Sequence, residues 1–559
     1  MSTTNSGSPT VVRETSITDL PSELLSIIFN FVYEDTTVTT ANRLVERDII
    51  PTWMRMEGSE GFQQSVSALA RPTIPEGPDL KSPTLFPYSL AAVCPVWRDI
   101  LSFHPEFWTL VVLFIDSKPT SLVEASLFLK WSRRHHIEVF ITRRGELRPT
   151  IYPDLHEQCH INAFLNILKP DLDRCRSLHI DARSSKSFPI IHNIFDKTEA
   201  SNLEFLELVC DTHAFAEGEY DEEWEDWVDE GDFDPNLTHL VIDGKNFHMT
   251  TEKVDNWLTS CMRLQKVTVA HFKPRDNDYY SFEFGSFLDA IDSLPYLEEL
   301  KLEDIHFSTR PDNSTEIVLL TPSYVHLVDV SESFIEDISK FVLFDGLSVL
   351  RITRCPLPGL NDFDSMPITL ILEDISSNVN LLGAVTAWEG ENLWLDRCHS
   401  FSSVFLKALG RRRSHSGYPC NNMHSLLLYR LPKFMISSLK KMVQRRNKDV
   451  IYSNPNWRNL TVFGPAISHL AIVQCGLDKL SVKDEKWFRS HLLEFHWSLF
   501  FSLSLHIAAA DHTKFSTLIY GVFLFVKKAL IIFTSLLTID ILPSFQKMNH
   551  ITILHCKQL

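Results

Sequence analysis

The sequence predicts an α/β chain, with a small helical module at the N-terminus followed by a long array of short strands separated by helices or turns. Three observations carry that prediction. A pattern of apolar-x-x-Leu-x-apolar recurs from residue 175 to about 472. Two segments, DLPSELLSIIFNF at 19–31 and SLAAVCPVWRDILSFHPEFWTL at 89–110, hold more apolar surface than two short helices can hide in each other. The composition, 44% hydrophobic and 22% charged over 559 residues, is that of folded protein.

Residues 1–16, MSTTNSGSPTVVRETS, are polar, predict disorder and lack the apolar core of a signal peptide, which points to a cytoplasmic or nuclear protein. Asp19 then stands as a helix N-cap and Pro21 in the first turn, with Leu24, Leu25, Ile27, Ile28 and Phe31 at helical spacing. An insertion at 33–86 follows, with a candidate short helix at 41–56. It ends in RPTIPEGPDLKSP, where Pro72, Pro75, Pro78 and Pro83 exclude a regular element and predict an extended linker. Leu90, Val93, Cys94, Trp97, Ile100 and Leu101 predict the second helix, and Pro105 and the Phe107–Trp108 pair close a module spanning 17–110. In its order of residues, LPxELLxxIF and later VCxxWRxI before Pro105, this module resembles the F-box, over about the first fifth of the chain. The insertion departs from the compact family pattern. The resemblance implies that Leu20, Pro21, Leu24, Ile28, Val93 and Trp97 are apolar positions that dock on a Skp-family adaptor, itself joined to a cullin scaffold.

Residues 111–174 predict a helical and strand connector, in which LFLKWSRRHHIEVFI at 127–141 resembles the helix-then-strand unit that often follows the F-box in fungal F-box proteins. From 175 to 480 the repeats take over. Their central positions, 178, 206, 240, 267, 300, 328, 350, 370, 393, 426 and 460, lie 20 to 34 residues apart, which straddles the leucine-rich-repeat period. Residues 251–262 and 284–294 are candidate helices between strands. A single such strand cannot bury its apolar side, so neighbours stack into a parallel sheet with return segments outside. The repeats are irregular, without a steady Asn or Cys at the turn, and resemble the degenerate repeats of fungal F-box proteins. The expected fold is an N-terminal helical F-box followed by an irregular leucine-rich-repeat solenoid. The function this resemblance implies is a non-catalytic substrate receptor of an SCF-type ubiquitin ligase; a repeat scaffold or membrane-tethered adaptor without ligase partners is the alternative.

The formal net charge of −18 argues against a nucleic-acid partner. Ten cysteines without a C-x-x-C pair indicate reduced thiols rather than a zinc ribbon or disulfide framework, and no cofactor is expected. His156-Glu157-Gln158-Cys159-His160 has the spacing that puts two imidazoles on one helix face for zinc, with Glu157 as general base. No third ligand is identifiable, so the expectation is a polar helix face and no metal. No G-x-x-x-x-G-K-S/T, G-x-G-x-x-G or G-x-S-x-G stretch occurs. Residues 217–234 hold eleven carboxylates and read as a solvated loop or a dock for a basic partner. Lys440, Lys441, Arg445, Arg446 and Lys448, with arginines at 411–413, read as an outer helix face or a nuclear import signal.

Strand alternation locates a candidate substrate face. With the repeat leucines inward, the intervening positions form the concave side: Asp181, Glu207, Asp243, Lys266, Glu299, Lys301, Glu303, Asp329, Arg351, Glu373, Trp394 and Asp396. Acids outnumber bases there by eight to three. That predicts either a basic protein segment held by Glu299, Lys301, Glu303, Asp329, Arg351 and Asp396 with Trp394 as apolar anchor, or charges that only keep the face soluble. The last segment, 481–559, turns apolar, but Lys527 and Lys528 cut its longest stretch into arms shorter than the ~20 residues a membrane helix needs. A cap on the array, a membrane anchor or a misjoined exon all fit it.

Overall fold

The computed structural model describes residues 20–46, 80 and 85–498, apart from 145–154, 189–190, 192–193, 195–199, 213–235, 245, 249–256, 273–282, 308–316, 359–365, 387, 413–416, 454–465 and 478–479. The polar N-terminus, the proline-rich linker, the acidic run at 217–234, Arg413 and the apolar stretch from residue 499 lie outside the described residues.

Helix α1 spans Ser22–Glu46, so it runs on into the expected insertion instead of stopping near residue 31. Leu25 and Phe29, four residues apart and therefore on one face, are its buried contacts. The short α2, Tyr88–Ala91, leads into α3, Pro95–Ser102, which starts on a proline whose missing N–H costs nothing at a first turn. A 3-10 turn at Pro105–Trp108 completes the module. Leu25, Phe29, Phe86, Ala91, Trp97, Leu101, Phe107 and Trp108 form its own core. Phe29 meets Trp97 edge-on at 5.2 Å between ring centroids, and Phe86 meets Phe107 at 5.1 Å.

The strands are β1 Leu110–Phe114, β2 Ile137–Thr142, β3 Cys175–Ser184, β4 Phe205–Thr212, β5 His239–Asp243 and β6 Lys266–Phe272. They continue as β7 Glu299–Ile305, β8 Val318–Leu320, β9 Tyr324–Val328, β10 Val342–Phe344 and β11 Val349–Thr353. The last five are β12 Thr369–Glu373, β13 Asn392–Asp396, β14 Ser425–Tyr429, β15 His469–Val473 and β16 Glu494–Ser498. Fourteen form one open sheet in chain order from β1 to β16, while β8 and β10 pair separately. Every pairing from β1 to β16 is parallel. The chain is thus mixed α/β with one long parallel sheet. Two strands of the supposed connector begin that sheet, and β16 extends it past residue 480.

Helices return the chain between strands: α4 Leu122–Trp131, α5 Leu155–Leu168, α6 Trp257–Ser260, α7 Phe284–Asp292 and α8 Glu332–Phe341, then α9 Leu381–Val385, α10 Ser403–Leu409, α11 Ile436–Ser453 and α12 Val482–His491. Serines start four of them: Ser121, Ser331, Ser402 and Ser481 each accept from the amide three residues on. The repeat leucines align rung by rung, for example Leu350, Leu370, Leu393, Leu426 and Leu470. All five are at most 1% exposed, in one core shared with the helices. One predicted rung is shifted: Val325, not residue 328, sits beside Leu300 and Leu350. Leu470 sits beside Leu426, while the expected rung at 460 lies outside the described residues.

A left-handed residue at or just past the end of eight strands lets these repeats turn without glycine. His271, Asp304, Asp329, Arg354, Asp374, Arg397, Arg430 and Gln474 all have φ between +47° and +59°. Such a backbone costs a non-glycine residue roughly 1–2 kcal/mol. Amide bonds to the next strand offset it: Asp374 N donates to Asp396 O at 2.8 Å, Arg354 N to Glu373 O at 3.0 Å, and Arg430 N to Val473 O at 3.0 Å. The following residue then drops back into the core, as Val330, Cys355, Ile375, Cys398, Leu431 and Cys475 do. Cysteine fills this place in three repeats and an aliphatic residue in others, so no single turn residue recurs steadily. The Cys398 thiol donates to Leu372 O at 3.2 Å and that of Cys475 to Leu428 O at 3.4 Å, so each turn is tied to the preceding strand.

Candidate functional site

The N-terminal module keeps an apolar face that its own core does not use. Leu20 just before α1 and Leu24, Ile27, Ile28 and Phe31 on it are 36%, 47%, 50%, 42% and 67% exposed, and Val93 just before α3 and Val96 on it are 50% and 52% exposed. Pro21 is exposed with them. Of the six expected docking positions, then, Leu20, Pro21, Leu24, Ile28 and Val93 lie on the surface. Trp97 does not: at 7% exposure it fills the module core against Phe29, so it holds α1 to α3 and offers a partner little surface. Ile27, Phe31 and Val96 extend the face beyond those six; their helical spacing with Leu24 and Val93 was the signal that could have found them.

This module is bolted to the sheet. The Tyr88 hydroxyl donates to Leu110 O and accepts from Val112 N, both at 2.8 Å, and so occupies the otherwise open edge of β1. Burial raises the Tyr88 pKa, which keeps the phenol protonated as the donor this arrangement needs. Trp108, wholly buried, donates to Leu101 O at 3.0 Å and packs on Phe128 and Trp131 of α4 at 5.4 and 4.5 Å. Phe128 also borders the main core, so one aromatic cluster belongs to both module and array.

On the sheet face away from the repeat core, the expected substrate residues do come together, but their charges are already matched. Lys266 pairs with Glu299 at 3.1 Å and Lys301 with Glu303 at 2.6 Å. Arg354 binds Asp329 at 2.9 Å and reaches Glu303 at 3.9 Å. Arg351 donates to Glu373 at 3.0 Å, and Arg397 reaches the same carboxylate. Asp396 lies 3.7 Å from Arg397 and 3.6 Å from Arg430. From β7 to β14 the acids Glu303, Asp329, Glu373 and Asp396 thus face Arg351, Arg354, Arg397 and Arg430, four against four. These pairs offset part of the eight-to-three excess of acids, although Asp304 and Asp374 occupy the same turn position as the arginines. Arg354, Arg397 and Arg430 sit in the left-handed turn residue just after a strand, where alternation does not count them.

Burial tunes this network. It works against the charge on Glu373, yet Arg351, Thr353 and Arg397 hold that carboxyl below its ordinary range. Burial pushes Asp396 up to about 6, with Glu373 adding to the shift and Arg430 and Arg397 opposing it. Burial, reinforced by Arg351, Lys301 and Arg354, pushes His326 down to about 2 and keeps it neutral. Trp394 is half-buried and touches two apolar clusters, Tyr324, Val349 and Ile371 on one side and Leu427, Tyr429, Ala471 and Val473 on the other.

The His-Glu-x-x-His segment lies on α5, and its glutamate has another task. Glu157 is 2% exposed and accepts from Arg183 N at 3.0 Å and Ser187 Oγ at 2.7 Å, which ties α5 to the end of β3. The carboxylate thus serves as a tie between helix and strand. Among the described residues no group of three or more His, Cys, Asp or Glu side chains could hold a metal ion, and no helix is long and apolar enough to cross a membrane. The basic run at 440–448 is not a continuous surface signal. Arg446 is 0% exposed and donates to Pro419 O at 2.8 Å and Cys420 O at 2.7 Å, while Asn447 exchanges bonds with both backbone groups of Ile467. No family model matches the chain, and a search of curated proteins finds no match either.

Proposed function

We propose that the chain is a substrate receptor of an SCF-type ubiquitin ligase, in which the N-terminal module binds a Skp-family adaptor and the sheet array holds a protein substrate. The observation that carries this reading is the apolar face of Leu20, Leu24, Ile27, Ile28, Phe31, Val93 and Val96 on a module that already has a complete core. Contiguous exposed apolar surface of this kind needs a partner. The repeat register and the turn cysteines Cys355, Cys398 and Cys475 agree with leucine-rich repeats, in which Asn or Cys stands at that turn.

The mechanism is proximity. Two binding surfaces fixed to one another through Tyr88, Trp108 and Phe128 present a substrate at a set distance from the ligase's catalytic subunits, and the chain itself forms no covalent bond. Co-expression with a Skp-family adaptor and a cullin tests this. A stoichiometric complex that survives gel filtration is expected; a chain that elutes alone, or with the adaptor but never with the cullin, would return it to the class of scaffolds.

A further inference from the structure

Glu303, Asp329, Glu373 and Asp396 are matched by arginines, but near the start of the sheet one carboxylate is not. Glu138 and Phe140 of β2, Ser177 and His179 of β3, and Phe205 and Glu207 of β4 alternate with Val139, Leu178 and Leu206. Those three lie in the repeat core, so the other six stand on the opposite face. The register sets Glu138 beside Ser177 and Ser177 beside Phe205; in the next row Phe140 stands beside His179 and His179 beside Glu207. The rings of Phe140, His179 and Phe205 stack at 4.1 and 4.7 Å between centroids. Ser177, the smallest of the six, is therefore the floor of a notch between Glu138 and Phe205.

Two polar atoms in this notch lack a hydrogen bond among the described residues. Ser177 and His179 are 4% and 5% exposed, and neither Ser177 Oγ nor His179 Nε2 has a partner. Such groups cost stability until something satisfies them. His179 Nδ1 meets the Glu207 carboxylate, so in the neutral ring Nε2 is an acceptor. Glu138 is partly exposed at the mouth, and its carboxylate forms no hydrogen bond or ion pair. Burial pushes that carboxyl above its ordinary range, and His179 and Arg176 only partly oppose the shift. The neighbouring cations are taken: Arg176 binds Glu204 at 2.9 Å, Arg174 binds Asp171 at 2.8 Å, and Lys266 pairs with Glu299. Glu138 and Glu207 thus share one titratable cation, His179, and Glu138 lacks a counter-ion in either state of that ring.

We infer that this notch holds an arginine side chain of the protein substrate, with its guanidinium on Glu138 and its N–H groups directed to Ser177 Oγ and His179 Nε2. The inference rests on the receptor reading above. It keeps a basic substrate but moves its anchor from β7–β14 to β2–β4. Neighbouring strands stand about 4.8 Å apart, and residues two apart on a strand about 6.6 Å. Acceptors spread over that grid are out of reach of a single ammonium, whereas a planar guanidinium carries five donors in a fork.

The test is a random peptide library displayed on phage and selected on the full chain, with adaptor co-purification followed in parallel. Selected peptides should share an arginine. Replacing it by citrulline, which keeps the shape and loses the charge, should lower affinity about tenfold or more, and so should Glu138→Gln in the chain. The two changes together should cost no more than either alone, because both break the same contact. Glu138→Gln removes a carboxylate that burial disfavours, so the urea midpoint should not fall and the adaptor should still bind. No selection, selection of lysine or of no basic residue, or losses that add in the double change would overturn the assignment. Arginine peptides that pass on a chain binding no adaptor would leave the notch standing and remove the ligase reading; adaptor binding without arginine peptides would do the reverse.

Discussion

Replacing Leu24 and Ile28 together by alanine separates a docking face from a core. The two side chains are 47% and 42% exposed, so each keeps roughly half of its area for a partner. Full burial of such a side chain is worth about 1.5–3 kcal/mol, and half of that is about 1 kcal/mol each. On the proposed receptor function, the pair should contribute about 2 kcal/mol to adaptor binding, or about thirtyfold in Kd. Trp97→Ala is the contrasting variant. At 7% exposure Trp97 belongs to the module core, and its truncation should cost about 3–5 kcal/mol of stability. Titration of purified chain with a Skp-family adaptor by calorimetry, alongside urea unfolding, measures both quantities. The reasoning is refuted if Leu24→Ala/Ile28→Ala binds within twofold of the unaltered chain, or if Trp97→Ala leaves the unfolding midpoint unchanged while binding is lost.

The remaining predictions concern groups whose roles the fold decides. Asp396 has its pKa raised from 3.8 to about 6, so its contribution to stability is present below pH 3.8 and is lost as pH rises through about 6. That loss is about 3 kcal/mol at about 1.4 kcal/mol per pKa unit, so Asp396→Asn should stabilise the protein at pH 7 and not at pH 4; an equal effect at both pH values in urea unfolding would sink the idea. Glu157→Ala should cost about 2–4 kcal/mol by stranding the Arg183 amide and the Ser187 hydroxyl. Metal analysis should find no stoichiometric zinc, and one zinc per chain lost on replacing His156 and His160 would reverse that assignment. Burial pushes the thiols of Cys355 and Cys475 up to about 11 and that of Cys398 up to about 12. A thiol reagent at pH 8, read by mass spectrometry of peptides, should therefore label exposed Cys159 first and these three only on unfolding.

What the sequence by itself determined is the framework. Leucines at a strand-like spacing, returning every few tens of residues, leave a parallel stack as the way to bury them, and the sheet from β3 to β15 follows that pattern almost rung by rung. The surplus of apolar residues at 20–31 was equally legible, because one helix face has room for Leu25 and Phe29 and must leave Leu24, Ile27, Ile28 and Phe31 outside. Only the tertiary structure decided which charges are spent. Arg354, Arg397 and Arg430 reach the acids of neighbouring strands because a left-handed turn residue points them back over the sheet, a backbone conformation that no residue type there announces. The same holds for Glu157, a plausible base until Arg183 and Ser187, some 26 and 30 residues further along, close on its carboxylate. It holds again for Trp97, whose periodicity fits either side of α3 until Phe29 arrives from α1. Periodicity records which face a residue shares with its own helix or strand; partners distant in the chain determine whether that face is covered, paired or left for another molecule.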